Sequence, residues 1–190
     1  MRAAKTAVRD QVLAGRRRLD LAELSEQAER LAEVLLAHEE VRRAATVTAY
    51  VSVGREPGTA RLIDGLRAAG KRVLLPVVLP DLDLDWAAYE SDESLASARL
   101  GLLEPTGPRL GPEAIATADV VLVPGVAVSA DGYRLGRGGG CYDRALARVP
   151  VGTFTCVLLY DGEVGLDVPV EPHDRPVTAA ATPSGVRLLR

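Results

Sequence analysis

Cysteine is scarce in this chain: Cys141 and Cys156 are the only two among 190 residues. A secreted scaffold stapled by disulfides carries more at this size. Histidine is equally sparse, with His38 and His173 alone, and no Cys/His spacing is of the kind that grips zinc. No apolar run reaches the roughly 18 residues that a membrane span requires. The start, MRAAKTAVRDQVLAGRRR, is basic and amphipathic and lacks the apolar centre of a secretory signal. The net charge is only -3, so no broad basic surface is implied for nucleic acid or an anionic membrane. These absences predict a cytoplasmic protein with small-molecule partners, and a monomer by default.

What is present suits a globular fold. Hydrophobic residues make up 47% and charged residues 26%, enough to bury one core beneath a soluble surface. No repeat, low-complexity tract or linker divides the chain, so residues 1–190 read as a single domain.

Val8 and Val12 recur at helical spacing within a helix predicted over residues 2–17. A second helix is predicted over residues 21–43, capped by Asp20 with Glu23 as its capping-box partner. The β-branched run 46–53 (TVTAYVSV) reads as a buried strand. Thr59 then caps a helix that ends at Gly70. Strands follow over 71–79, where Pro76 marks an end or an edge, and over 83–90. Residues 101–112 read as a loop. The most apolar strand, 119–128, is interrupted at Pro124–Gly125, and Asp131–Gly132 signals a tight turn. A helix over 142–149 and strands over 153–160 and 177–181 complete the chain. Strands alternating with helices, several of them apolar throughout, predict an α/β fold whose largely parallel sheet is covered on both faces.

Residues 134–143 (RLGRGGGCYD) lie between a predicted strand and a predicted helix. Glycines let backbone N–H groups turn toward a ligand with no Cβ in the way. A helix N-terminus adds free donors, and Arg134 and Arg137 can pair with phosphate oxygens. The spacing is neither GxxxxGK[ST] nor a dinucleotide loop, which fails at Cys141. By itself the segment fits an anion cradle or a flexible surface turn.

The longer order PGVAVSADGYRLGRGGGCYDRAL resembles the signature of 5-formyltetrahydrofolate cyclo-ligases, also called methenyltetrahydrofolate synthetases. Pro124, Gly125, Asp131, Arg134, Leu135, Gly136, Gly138, Gly140, Tyr142 and Asp143 match it. Cys141 departs, because an aromatic residue is usual there. Further resemblances run along the chain: Lys5 and Arg9 four apart, VSVGREPGT at 51–59, the strand from Lys71 to Pro76, LGLLEP at 100–105 and VPVEPHD at 168–174. Val77 stands where the family often has a basic residue.

The resemblance implies a three-layer α/β/α domain with a mixed, largely parallel sheet, similar to the NagB/RpiA/CoA-transferase-like fold. It implies ATP-dependent closure of 5-formyltetrahydrofolate to 5,10-methenyltetrahydrofolate, with ATP as co-substrate and Mg²⁺ as cofactor. Lys5 and Arg134 would then serve catalysis. ATP would meet Lys5, Arg9, Arg134, Gly136, Arg137, Gly138, Gly139, Gly140, Cys141 and Tyr142. The folate would meet Glu56, Val51, Trp86 and Tyr142, and Asp143 would hold the metal. Each has a plainer reading: Lys5 and Arg9 as a solvated helix face, Asp143 as a first-turn acid, Glu56 as a turn carboxylate, Trp86 as core. His173 beside Asp174 reads as structural, since the proposed chemistry needs no such base. A non-catalytic relative, or a sugar-phosphate isomerase or CoA-transferase-like protein, are the competing readings.

Overall fold

The computed structural model describes residues 2–189. In chain order, α1 (Arg2–Arg16), α2 (Leu21–Ala37) and α3 (Glu39–Arg43) precede β1 (Thr46–Thr48), α4 (Ala60–Ala68), β2 (Arg72–Val78) and β3 (Leu84–Ala88). A small hairpin of β4 (Leu95–Ser97) and β5 (Leu103–Pro105) follows, then β6 (Val120–Pro124), and a second hairpin of β7 (Ala127–Val128) and β8 (Arg134–Leu135). Last come α5 (Cys141–Leu146), β9 (Phe154–Leu158), β10 (Ala179–Thr182) and β11 (Gly185–Leu188).

Seven strands form the central sheet in the order β11-β10-β9-β6-β1-β2-β3. The five inner strands run parallel, and the two edge strands β11 and β3 are antiparallel to their neighbours. Alternation along β6 shows why both faces are covered. Val120 and Leu122 pack with Leu31, Leu35, Leu62 and Leu66 of α2 and α4, while Val121 and Val123 pack with Trp86, Ile115, Ala145 and Leu146 on the other side. Removing one such leucine, Leu35 or Leu62, costs about 2–5 kcal/mol.

Several expectations are met and several are corrected. The Asp20 capping box forms, with Glu23 N–H donating to Asp20 Oδ1 at 2.8 Å and Asp20 N–H to Glu23 Oε2 at 2.7 Å. The helix expected over 21–43 breaks at His38, whose backbone is extended and whose ring stacks on Phe154 at 5.0 Å. The strand expected over 46–53 stops at Thr48, because the chain beyond turns away to line a cavity. Thr59 does not cap α4 through its side chain. Its hydroxyl instead donates to Tyr50 O at 2.6 Å and accepts Ser52 N–H at 2.9 Å, pinning the loop between.

Pro76 lies inside β2, opposite Trp86. Tyr89 N–H donates to Val73 O and Leu79 N–H to Asp83 O, so the odd positions of β2 serve β3. Pro76 therefore faces the β1 side at a level where β1 has already ended, and its missing N–H leaves no bond unmade. The pairing of β5 with β4, where a loop was expected, and the presence of β11 were not anticipated.

Candidate active site

A cavity of about 760 Å³ opens where β1, β2 and β6 end, lined there by Tyr50, Val51, Pro76, Val78, Pro124 and Gly125. Ligand sites of open α/β sheets occur at the carboxyl ends of such strands. The remaining wall comes from α1, the segment 134–143, the β4–β5 hairpin and residues 171–174.

Val8 and Val12 of α1 pack on Ala127, Leu135 and Val168, as their spacing predicts, and this turns Lys5 and Arg9 toward the cavity. Arg16 anchors the far end of the helix. Its Nε donates to Glu163 Oε1 at 2.7 Å, and its Nη2 to Glu163 Oε2 at 2.8 Å and to Gly125 O at 2.9 Å. Lys5 Nζ donates to Glu171 Oε2 at 2.7 Å and Asp174 Oδ2 at 2.6 Å. Burial works against the Lys5 charge, yet the two carboxylates outweigh it and raise its pKa. Asp174 is likewise pushed up by burial and pulled further down by Lys5 and the Glu171 N–H, to a net value below the usual range. Arg9 Nε donates to Gly136 O at 2.9 Å, joining α1 to the glycine segment.

That segment needs glycine for two distinct reasons. A Cβ on Gly136 would lie 2.9 Å from Arg134 Nη1, and Gly140 has φ +68°, a left-handed turn leading straight into α5. Arg134 is buried beneath it. Its Nη2 donates to Asp143 Oδ1 at 3.2 Å, its guanidinium lies 5.7 Å from the Tyr142 ring centre, and its Nε has no partner among the described residues. Desolvation lowers the Arg134 pKa and the Asp143 charge opposes it; an arginine so placed stays protonated. Asp143 Oδ1 also accepts Arg175 N–H at 3.3 Å. Glu56, 8% exposed, accepts Val53 N–H at 2.8 Å and pairs with Arg137 Nη2 at 3.0 Å.

The cavity thus gathers Lys5, Arg9, Val51, Glu56, Arg134, Gly136, Arg137, Gly138, Gly139, Gly140, Cys141, Tyr142 and Asp143 around one space. Trp86 is the exception and a correction. It is fully buried in the core with Leu74, Leu84 and Ile115, and it is absent from the lining. Its place on β3 opposite Pro76 turns it into the layer between sheet and helix, so it cannot stack on a ligand. Val77 is also buried and off the cavity, while its neighbours Pro76 and Val78 line it. Burial pushes the Cys141 thiol up, which removes the lowered pKa that a helix N-terminus could have produced.

Sequence reasoning missed Tyr50, the Glu171 and Asp174 contacts to Lys5, and the Arg16 anchor. Glu171, His173 and Asp174 bring potential ligand atoms within 4.8 Å of one another, but Lys5 already occupies the two carboxylates. The acids of VPVEPHD were visible, whereas a lysine 166 residues away has no local signal.

Together the fold and the cavity define a class: an α/β protein with a pocket suited to a polyanion at its strand ends. A family model, the 5-formyltetrahydrofolate cyclo-ligase family, matches residues 1–183, and the chain belongs to that family. The 5-formyltetrahydrofolate cyclo-ligase of Mycolicibacterium smegmatis is 44% identical over 151 residues, covering 76% of this chain and 77% of its own. The cyclo-ligase of Escherichia coli K12 is 34% identical over 179 residues, covering 90% and 96%. The solved 5,10-methenyltetrahydrofolate synthetase of Aquifex aeolicus superposes with TM-score 0.83 at 30% identity, covering 98% of this chain and 93% of that one. This membership sets aside the isomerase and CoA-transferase-like alternatives.

Proposed function

We propose that this protein converts 5-formyltetrahydrofolate and ATP to 5,10-methenyltetrahydrofolate, ADP and phosphate. The observation that carries the reading is the convergence, in one cavity, of four cations (Lys5, Arg9, Arg134 and Arg137) with a glycine-rich segment, and of the acid Glu56 with the phenol Tyr142. The first group suits a triphosphate and the second a polar ring.

The formyl oxygen is a poor leaving group. Transfer of the γ-phosphoryl group to it releases ADP and leaves an iminium phosphate. The folate's own N10 then attacks the formyl carbon, loses its proton, and phosphate departs with the former formyl oxygen. No covalent nucleophile from the protein is required, so positioning and charge supply the rate. Lys5, Arg9 and Arg134 neutralise phosphate oxygens, and N–H groups of the segment 136–142 surround them. Arg134 is already desolvated, with an unused Nε donor, so it loses little in orienting on a transferring group. Glu56 and Tyr142 hold the ring, with Val51 against it.

Asp143 fits a magnesium ligand, because Oδ1 serves Arg134 and Arg175 while no hydrogen bond engages Oδ2 among the described residues. A bound Mg²⁺ would offset phosphate charge beside it. The protein is read as a cytoplasmic monomer acting on small molecules, without nucleic acid or membrane; no helix among the described residues is long and apolar enough to cross a bilayer.

Purified protein supplied with ATP, Mg²⁺ and 5-formyltetrahydrofolate should release ADP in step with the absorbance of the methenyl product. Absence of both signals rejects the enzyme and leaves the non-catalytic alternative.

A further inference from the structure

A second, smaller cavity of about 240 Å³ is lined by Leu13, Arg16, Arg17, Arg55 and Arg137. Arg137 lines both spaces, so the two are neighbours. Four of the five lining residues are arginines and none is an acid. Two of the four charges are answered within the fold, Arg16 by Glu163 at 2.7 Å and Arg137 by Glu56 at 3.0 Å. The other two are not. The Arg55 guanidinium donates to the Leu19 carbonyl and meets no carboxylate among the described residues. The Arg17 side chain makes no hydrogen bond or ion pair among the described residues.

Spare positive charges gathered in one concave space repel each other. A multivalent anion relieves that repulsion and takes a charge-assisted bond from each. Planar guanidinium groups match the oxygens of phosphate or carboxylate. The fold brings these arginines from three places: Arg17 just past α1, Arg55 in the loop between β1 and α4, and Arg137 between β8 and α5. The grip of Glu163 and Gly125 on Arg16 fixes the end of α1, and so fixes where Arg17 emerges. Arg137, with its side chain 55% exposed, can answer either Glu56 or an anion in the cleft. The carboxylates of a folate tail share this chemistry. That tail leaves the ring system opposite the amide edge, however, so a ring held at Glu56 points it away from Arg137. A separate ion fits the cleft better.

We propose that this cleft is a second oxyanion site, taking a free phosphate-type dianion on Arg17, Arg55 and Arg137. An ion bound there competes with Glu56 for Arg137. Glu56 then keeps more of its lone pairs for the ring N–H groups, so an occupied cleft lowers the KM for folate. The site itself stands apart from the folate reading above, and only this effect on KM rests on it.

The probe is inorganic phosphate, titrated at constant ionic strength while a non-hydrolysable ATP analogue fills the main cavity. Calorimetry should show phosphate binding to the wild type, weakened about tenfold in Arg17→Gln and about 100-fold in Arg17→Gln/Arg55→Gln. At ten times the dissociation constant, phosphate should raise the wild-type melting temperature by about 4 °C and leave the double variant unmoved. Arg17→Gln breaks no bond of the fold, so it keeps the test intact if losing the Arg55 contact to Leu19 unsettles the chain. In turnover at saturating ATP, phosphate should lower the wild-type KM for 5-formyltetrahydrofolate about twofold, with no such change in the double variant. Equal phosphate affinity in wild type and both variants overturns the site, and so does an equal melting shift from chloride, which marks ionic screening alone. A triglutamyl substrate whose advantage over the monoglutamyl one vanishes in the double variant gives the cleft to the substrate's tail and overturns the free-ion proposal. Phosphate that binds without changing the folate KM upholds the site and removes its link to Glu56. Wild-type protein that turns over no folate sinks the functional reading and leaves the binding result standing.

Discussion

Arg16 and Arg134 are buried alike, with 3% of each side chain exposed, and they are held in opposite ways. Arg16 meets both oxygens of Glu163 and the Gly125 carbonyl. Burial acts against its charge, but Glu163 outweighs it and the pKa rises. Arg134 has one contact of 3.2 Å to Asp143 and an idle Nε, and its pKa falls. A buried charge matched in this way by both oxygens of a carboxylate is a fastening, because its charge is neutralised within the fold. A weakly paired one keeps bonding capacity in reserve, and Arg134 is a lining residue of the cavity.

The largest effect expected from this contrast lies at the fastening. Arg16→Ala strands Glu163 and should cost about 3–5 kcal/mol of unfolding free energy, read by chemical denaturation. Near-native stability would dissolve the distinction. Arg134→Ala should do the reverse: kcat/KM for ATP falls about 100-fold, roughly 2.7 kcal/mol of transition-state stabilisation, while stability changes little. Unchanged ATP kinetics would remove Arg134 from the phosphate end. Asp143→Asn tests what shares that end, and should raise the Mg²⁺ needed for half-maximal rate about tenfold. A magnesium titration that overlays the wild type would place the metal elsewhere.

The smallest effect belongs to a third kind of arginine, one near the surface. Arg148 grips Asp83 through both oxygens at 2.9 and 2.6 Å. That hydrogen bonding holds the Asp83 carboxyl below its ordinary 3.8, against burial. The folded value lies under the unfolded one, so the stabilisation is complete above about pH 4 and is lost as pH falls through the folded value. Arg148→Met should remove about 0.5–1 kcal/mol at neutral pH and flatten this part of the acid-stability curve. An acid slope identical to wild type would show that the pair contributes nothing measurable.

Periodicity and glycine chemistry made much of this readable in advance. Val8 and Val12 marked the docking face of α1, and β6 and β9 were plain from their unbroken apolar runs. Residues 134–143 stood out as an anion cradle or a surface turn, because glycine and arginine have local meanings, and they line the cavity. Partnership was not readable. Arg16 opens a run of three arginines, and nothing near it in sequence reveals Glu163, 147 residues on. The β-branched run 46–53 looked like a single strand, but Tyr50 and Val51 are spent on the cavity wall instead. Trp86 was ambiguous for a related reason: an aromatic on a strand is more often core than a ligand contact, but the choice waits on the layer it faces.

The seating of α1 also has a consequence for the order of events during synthesis. Lys5 and Arg16 reach partners 147 to 169 residues later in the chain, at Glu163, Glu171 and Asp174. Contacts so far apart in sequence close late, because most of the polypeptide must be present before they can form. α1 leaves the ribosome long before these partners do, and is therefore among the last elements to find its place. Until it does, the pocket lacks one wall, and a chain stalled before residue 163 would hold its glycine cradle open to water.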